Sequence, residues 1–255
     1  MTQVSIAETG YAKQTLYQRK HGGGVGRSKA SFWKHEAIKR AMRRQLPILA
    51  KRGRGLIIDL NAGDGEATPH RQPDFFAGGA LITTPHLALA MGDCYGADVW
   101  LCERSHAPRR ALIAAYGDRA KIYGNHNQLS KTLGTIAAAP WVMVLSDPNG
   151  HGNSSNGLSI MRQIAQINPI SDFVTVVNHR SIMRHLGVGA KDNSGNARAL
   201  AVEASKEHYA WMLTPQRWAD QLGKRQVLTT EPRRLSPEMT AQILLISNFI
   251  PGHRS

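Results

Sequence analysis

"GLIIDLNAGDGEA" (residues 55–67) decides how the rest of the chain is read. An apolar run ends in Asp59 and passes directly into a turn made of small residues and two glycines. A strand that stops at an acid and a Gly-x-Gly turn is one way to cradle an adenosine-type cofactor, because glycine lets backbone N–H groups approach a ligand closely. The dinucleotide form of this turn needs Gly-x-Gly-x-x-Gly and an acid about 20 residues further on. Here the series runs Gly63-Asp64-Gly65-Glu66-Ala67-Thr68, and the next acid at a strand end is the distant Glu103. The spacing argues against a pyrophosphate site. A tight turn around a buried acid remains the plain alternative.

Outward from the turn the chain alternates. GLIIDL (55–60), ADVWLCE (97–103), AKIYG (120–124), WVMVLSD (141–147) and DFVTVVN (172–178) are short, mostly apolar strand candidates. Helical patterns fall between them at about 80–92, 106–116, 128–138, 156–167 and 196–210. The alternation predicts an α/β fold, a Rossmann-like, doubly wound, mostly parallel sheet of seven strands. RQVLTTE (225–231) and TAQILLISNF (240–249) are the last two, and PRRLSPEM between them is too short for a helix. They predict an antiparallel C-terminal hairpin closing one sheet edge. DPNGHGNSSNG (147–157) and LGVGAKDNSGNA (186–197) are Gly- and Asn-rich loops, expected at the carboxyl ends of the strands, where ligands bind.

Upstream the character changes. YAKQTLYQRKHGGGVGRSKAS (11–31) has four glycines within five residues and reads as a flexible basic arm. No Gly-Lys-Ser/Thr closes it, so it is not a phosphate-binding P-loop. Ser31 is placed to cap a helix over FWKHEAIKRAMRRQLPILAKR (32–52), with Phe32, Ala37, Ala41 and Leu46 on its apolar side and Pro47 set to kink or restart it. The expected organisation is an arm over residues 1–30 followed by a single domain over 31–255.

The charge is lopsided. The chain holds 32 Lys+Arg against 18 Asp+Glu, a net +14. Residues 1–54 carry 13 of those basic residues and 2 of the acids, so +11 of the excess lies there. A nearly neutral body behind a basic segment points to a polyanion, DNA or RNA, with a solubilising tail as the alternative. Arg19, Lys20, Arg27, Lys29, Arg40, Arg43 and Arg44 are the candidate phosphate contacts, and Trp33 the candidate base-stacking aromatic. Trp100 and Trp141 lie within strand candidates and are expected in the core. Cys94 and Cys102 form neither a disulfide framework nor a metal site, so no metal is expected and a reducing, cytoplasmic setting is. No apolar run is long enough to span a membrane, and MTQVSIAETGYAKQ does not read as a signal peptide.

An acid at the end of the first strand, a Gly-rich turn, and a second acid at the end of the next strand resemble class I S-adenosyl-L-methionine methyltransferases. The resemblance implies that Asp59, Asn61, Ala62, Gly63 and Gly65 cradle the cofactor's methionine end, while Glu103, beside Arg104, accepts both ribose hydroxyls. In YGNHNQL (123–129), Asn125 and His126 stand where such enzymes carry the acid that holds the adenine amino group. LSDPNG (145–150) resembles the Asp-Pro-Pro-aromatic element of methyltransferases acting on adenine N6, which implies catalytic roles for Asp147, Pro148 and Asn149. Asn149 and Gly150 depart from that element, since the stacking aromatic is missing. His151 follows it, and a solvated loop residue is its ordinary reading.

DLNAGDG, GGALITTPHLALAM, GNHN and DPNG occur in the order seen in the three-Cys-motif partner proteins, a family of predicted methyltransferases. This likeness covers roughly residues 30–180. It implies that Lys34 and His35, in SFWKHEAIKRAM, lie near the cofactor's methionine end. The expectation is therefore an S-adenosyl-L-methionine-dependent methyltransferase of nucleic acid, acting at an exocyclic amine such as adenine N6. Two alternatives stay open at the level of sequence: an inactive nucleic-acid-binding protein with the same fold, and a methyltransferase of a different substrate. A nucleotide-dependent oxidoreductase is disfavoured by the glycine spacing.

Overall fold

The computed structural model describes residues 29–65, 83–148, 154–179, 213–236 and 239–248. Strands β1 (Gly55–Asp59), β2 (Ala97–Cys102), β3 (Lys121–Tyr123), β4 (Val142–Ser146) and β5 (Ser171–Asn178) run parallel. Three more follow: β6 (Gln226–Thr229), β7 (Arg233–Ser236) and β8 (Met239–Ser247). The sheet order is β3-β2-β1-β4-β5-β8-β6, with β7 also paired to β8.

The apolar runs of the sequence explain the layers. Every residue of β1, β4 and β5 is buried, as expected of parallel strands covered on both faces. Because side chains alternate along a strand, successive residues enter different cores. Ile57, Met143 and Leu145 meet α1 (Lys29–Leu49), α2 (Thr84–Tyr95) and α3 (His106–Tyr116) through Met42, Leu46, Leu87 and Leu112. Leu56, Ile58, Val142 and Val144 meet the other layer, α4 (His126–Ser130), α5 (Leu133–Ala138), α6 (Ser154–Ile167) and α7 (Pro215–Gln221). Trp100 and Trp141 are both in the core.

Four local readings are refined. α1 begins at Lys29, so Ser31 lies inside its first turn rather than capping it. Its buried stripe is Ile38, Met42, Leu46 and Leu49, with Ala37 and Ala41 at the margin, and it ends two residues after Pro47. The helix expected over 128–138 is two short helices, since the Thr132 hydroxyl donates to Leu129 O at 2.8 Å and closes the first. The C-terminal strands do form an antiparallel pair, but β8 is not an edge. β8 is nine residues long, and its C-terminal half pairs β6 while its start pairs β7, which comes from the segment expected as a connector. The helix expected over 196–210, the loop over 186–197 and residues 1–28 lie outside the described residues.

The strand order reverses between β1 and β4. An open α/β sheet binds ligands beyond the carboxyl ends of its strands at such a switch point. Asp59 ends β1, Glu103 follows β2 and Asp147 follows β4, so all three acids stand on that edge.

Candidate functional site

The glycine turn is built by its backbone. Gly63 and Gly65 have φ of 65° and 71°, left-handed values that an L side chain adopts only with strain. The two face different surroundings. Among the described residues, a Cβ on Gly63 would meet nothing within 4 Å, so this side of the turn is open towards them. A Cβ on Gly65 would lie 2.6 Å from the Tyr116 ring, so this side is packed shut.

Asp59 anchors the turn from below. It is fully buried, and its Oδ1 accepts the Asn61 N–H at 3.0 Å. Its Oδ2 is buried without a hydrogen-bond partner among the described residues. Burial pushes its carboxyl up to about 7, opposed by Thr84 and the Asn61 N–H and reinforced by the charges of Asp147 and Glu103. Ser146, at the end of β4, donates to Asn61 Oδ1 at 3.3 Å and ties the turn to the neighbouring strand.

Glu103 closes the turn from the β2 side. One carboxylate oxygen accepts the Gly63 N–H at 3.1 Å and the other the Ser105 N–H at 2.6 Å. Each oxygen has a further lone pair available for a ligand hydroxyl. Arg104 beside it is exposed.

Asp147 is held by α1. Lys34 Nζ lies 2.8 and 2.6 Å from its two oxygens, and both side chains are largely removed from solvent, at 8% and 12% exposure. His35, the next residue, is buried as well. Three acids thus converge on one turn, and Lys34 is the buried lysine of this edge.

At the β3 end the roles differ from each other. Asn125 caps α4: its side chain accepts the Gln128 N–H at 3.0 Å, while Gln128 Oε1 accepts the Gly124 N–H at 2.5 Å. This is N-capping by the Asn125 side chain, so the amide has a structural task of its own. His126 Nε2 lies 3.1 Å from Leu60 O and brings the ring towards the glycine turn. Asn149 and His151 lie outside the described residues.

The basic surface is on the far side of α1. Arg40, Arg43 and Arg44 are exposed, whereas Trp33 is half-buried against the core. Lys29 lies in the first turn of the helix, and Arg19, Lys20 and Arg27 precede the described residues.

One supporting group was not singled out from sequence. The Thr83 and Tyr116 hydroxyl oxygens lie 3.2 and 3.3 Å from Gly65 O. The His86 ring joins them, with Nδ1 2.7 Å from Thr83 Oγ1 and Nε2 2.8 Å from the Tyr116 oxygen. Burial holds His86 down to about 4, so the ring is neutral at physiological pH. The signal was a histidine and a threonine at the start of an otherwise apolar helix, in TTPHLALAM. Among the described residues no cluster of His, Cys, Asp and Glu is arranged to hold a metal, and no helix is long and apolar enough to cross a membrane.

No family model matches the sequence, and no curated protein matches it. Among solved structures, protein LPL1258 from Legionella pneumophila is similar over 89% of this chain and 86% of its own, with 14% identity and a TM-score of 0.52. The METTL16 methyltransferase domain is similar over 85% of this chain and 83% of its own, at 11% identity and a TM-score of 0.42. The plantazolicin methyltransferase BamL, solved with SAH, is similar over 87% and 90%, at 12% identity and a TM-score of 0.40. What is shared with LPL1258 at this identity is the fold alone, an α/β sheet.

Proposed function

We propose that this chain is an S-adenosyl-L-methionine-dependent methyltransferase of nucleic acid, DNA or RNA, acting at an exocyclic amine such as adenine N6. The observation that carries the reading is the convergence of Asp59, Glu103 and Asp147 on a left-handed glycine turn at the switch point of the sheet. A cofactor with an ammonium and a sulfonium group suits an acidic cup. The residues present fit it: among the described residues Asp59 Oδ2 is a buried acceptor without a partner, and a side chain at Gly63 would meet none of them. Asp59, Asn61, Ala62, Gly63 and Gly65 would hold the methionine end together with His35. Glu103 and Arg104 would take the ribose, and Asn125 and His126 the adenine.

Bound S-adenosyl-L-methionine would supply a methyl group on sulfonium, transferred by direct displacement with the amine proton lost afterwards. Asp147 and the Pro148 carbonyl accept hydrogen bonds from the target amine and so aim its lone pair, with Asn149 beside them. This is catalysis by positioning, and it asks for no base before transfer. The +11 segment and the exposed Arg40, Arg43 and Arg44 favour a polyanionic substrate. On a duplex the target base would have to leave the stack. The basic arm precedes a single catalytic domain over 31–255, and two free cysteines suit a cytoplasmic setting.

The test is incubation with radiolabelled cofactor and a panel of DNA, RNA and protein, followed by nucleoside analysis. Label in N6-methylated adenosine supports the reading, and label in protein alone overturns the substrate. A second reading, a nucleic-acid-binding protein that kept the fold without transferring methyl, is favoured by one observation: the Asn125 amide is engaged in capping α4. Isothermal titration showing no cofactor binding would select it.

A further inference from the structure

We propose that Lys34 is a positioning residue for Asp147, clamping the plane of its carboxylate towards the target amine, and not a ligand of the cofactor. The inference rests on the reading of Asp147 as the amine's acceptor. It departs from the expectation that Lys34 serves the methionine end.

Three observations carry it. The ammonium reaches both oxygens of Asp147, at 2.8 and 2.6 Å, so its hydrogen bonds fix the orientation of the carboxylate as well as its position. Both side chains are mostly shielded, at 8% and 12% exposure, so water is a poor substitute partner. Asp147 also shares its edge with Asp59, whose ionisation its charge opposes, so an unclamped Asp147 would be repelled from the cup.

The clamp does not block the proposed role. Each carboxylate oxygen has two lone-pair directions, so an ammonium spanning both oxygens leaves one on each for an amine N–H. Lys34 belongs to α1 and Asp147 to the end of β4, 113 positions apart, so the clamp also docks the basic helix onto the catalytic edge. Ser146, the residue before Asp147, turns instead to Asn61.

The test compares Lys34→Met and Lys34→Arg with the wild type in three readouts: a crystal structure, cofactor affinity by titration, and methyl-transfer kinetics. In K34M the Asp147 carboxylate should move by about 1 Å or more, and kcat should fall about 100-fold, the scale expected of such a misplacement. Cofactor Kd should stay within about threefold, and K34R, which can still bridge a carboxylate, should recover kcat to within about tenfold. An unmoved Asp147 with unchanged kcat overturns the proposal. So does a cofactor Kd that rises in step with the loss of rate, which would make Lys34 a cofactor ligand. If K34M does not fold, Lys34→Gln replaces it. If the wild type neither binds cofactor nor transfers methyl, the functional reading fails by itself. The crystal structures still decide the clamp, because Asp147 displaced in K34M and restored in K34R supports it and an unmoved Asp147 refutes it.

Discussion

Asp59 at the carboxyl end of β1 and Asp172 at the amino end of β5 are both buried, and among the described residues neither Oδ2 has a hydrogen-bond partner. Burial pushes both carboxyls up, Asp59 to about 7 and Asp172 to about 6. Their surroundings differ. Asp172 sits in a closed polar group with Gln45, Ser247 and Lys224. There Gln45 donates to Ser247 at 3.1 Å and Lys224 Nζ to Ser171 Oγ at 3.1 Å. Lys224 is itself buried and supplies the opposite charge. Asp59 has other acids near it and an open glycine turn above it. A buried carboxylate is therefore no sign of a site on its own. Acids gathered around open space, close enough to oppose one another's ionisation, are.

The largest expected effect separates the two ends. Asp147→Ala should reduce methyl transfer by about 1,000-fold or more while changing cofactor affinity by no more than about threefold, since its interaction is made with the target amine. Asp172→Ala should leave transfer nearly unchanged and lower stability by about 2–4 kcal/mol, because it strands the buried Lys224. Single-turnover kinetics with titration of the cofactor checks the first and denaturant unfolding the second. Equal loss of rate and of cofactor binding in Asp147→Ala would remove its assigned role.

The glycine turn repeats the contrast within three residues. Alanine at either Gly63 or Gly65 must take a left-handed φ, at a cost of about 1–2 kcal/mol. At Gly65 the methyl also drives into the Tyr116 ring, so the total should reach about 2–4 kcal/mol. At Gly63 the methyl enters open space, so stability should fall only by the backbone cost while cofactor affinity drops about tenfold or more. Denaturant unfolding and titration of the two variants side by side measure both. If Gly63→Ala binds cofactor normally, the open side of the turn does not face it.

Much of this was legible in the sequence because it depends on local pattern. The five parallel strands are mostly apolar runs, buried throughout in β1, β4 and β5, and they fall within a residue or two of GLIIDL, ADVWLCE, AKIYG, WVMVLSD and DFVTVVN. Asp59, Glu103 and Asp147 could be placed on one edge because each follows such a run. The rest depends on contacts between distant segments. Lys34 and Asp147 were separately suspected, but no spacing rule links residues 113 apart. β8 between β5 and β6 is decided by which edge remains open, and a short β7 forms only because β8 is longer than β6. Asn125 shows a third limit. The same amide position serves a cap or an adenine equally well by sequence, and only Gln128 beneath it shows that it caps.

Titration tests the two aspartates more finely. A carboxyl whose pKa is raised by folding keeps its proton longer in the folded state, so stability falls as pH rises from about 4 through the folded value. For Asp59 that window runs to about 7 and for Asp172 to about 6. Asp59→Asn should therefore gain stability over wild type with rising pH, on the order of 4 kcal/mol by pH 8. Saturating cofactor should flatten the Asp59 contribution, because an ammonium beside the carboxylate favours its ionised form, and should leave that of Asp172 in place. Thermal unfolding from pH 5 to 8, with and without cofactor, measures this. A slope indifferent to cofactor would place the ammonium elsewhere.

The smallest effect concerns the two faces of α1, one turned to the core through Ile38, Met42 and Leu46 and the other carrying Arg40, Arg43 and Arg44. If the outer face meets a nucleic-acid backbone, each arginine lost removes one phosphate contact and the counterions it releases. Replacing all three by alanine should then reduce the slope of log affinity against log salt by about 2–3. Cofactor affinity and melting temperature should hardly move, because the inner face and Lys34 are untouched. Deleting residues 1–28 leaves α1 whole and removes the other basic residues upstream, so it should lower the slope further and additively. A slope changed by the deletion alone would assign the polyanion to the arm. A slope changed by neither would make the +11 segment a solubilising feature, and the acidic cup would then belong to a methyltransferase of some other substrate.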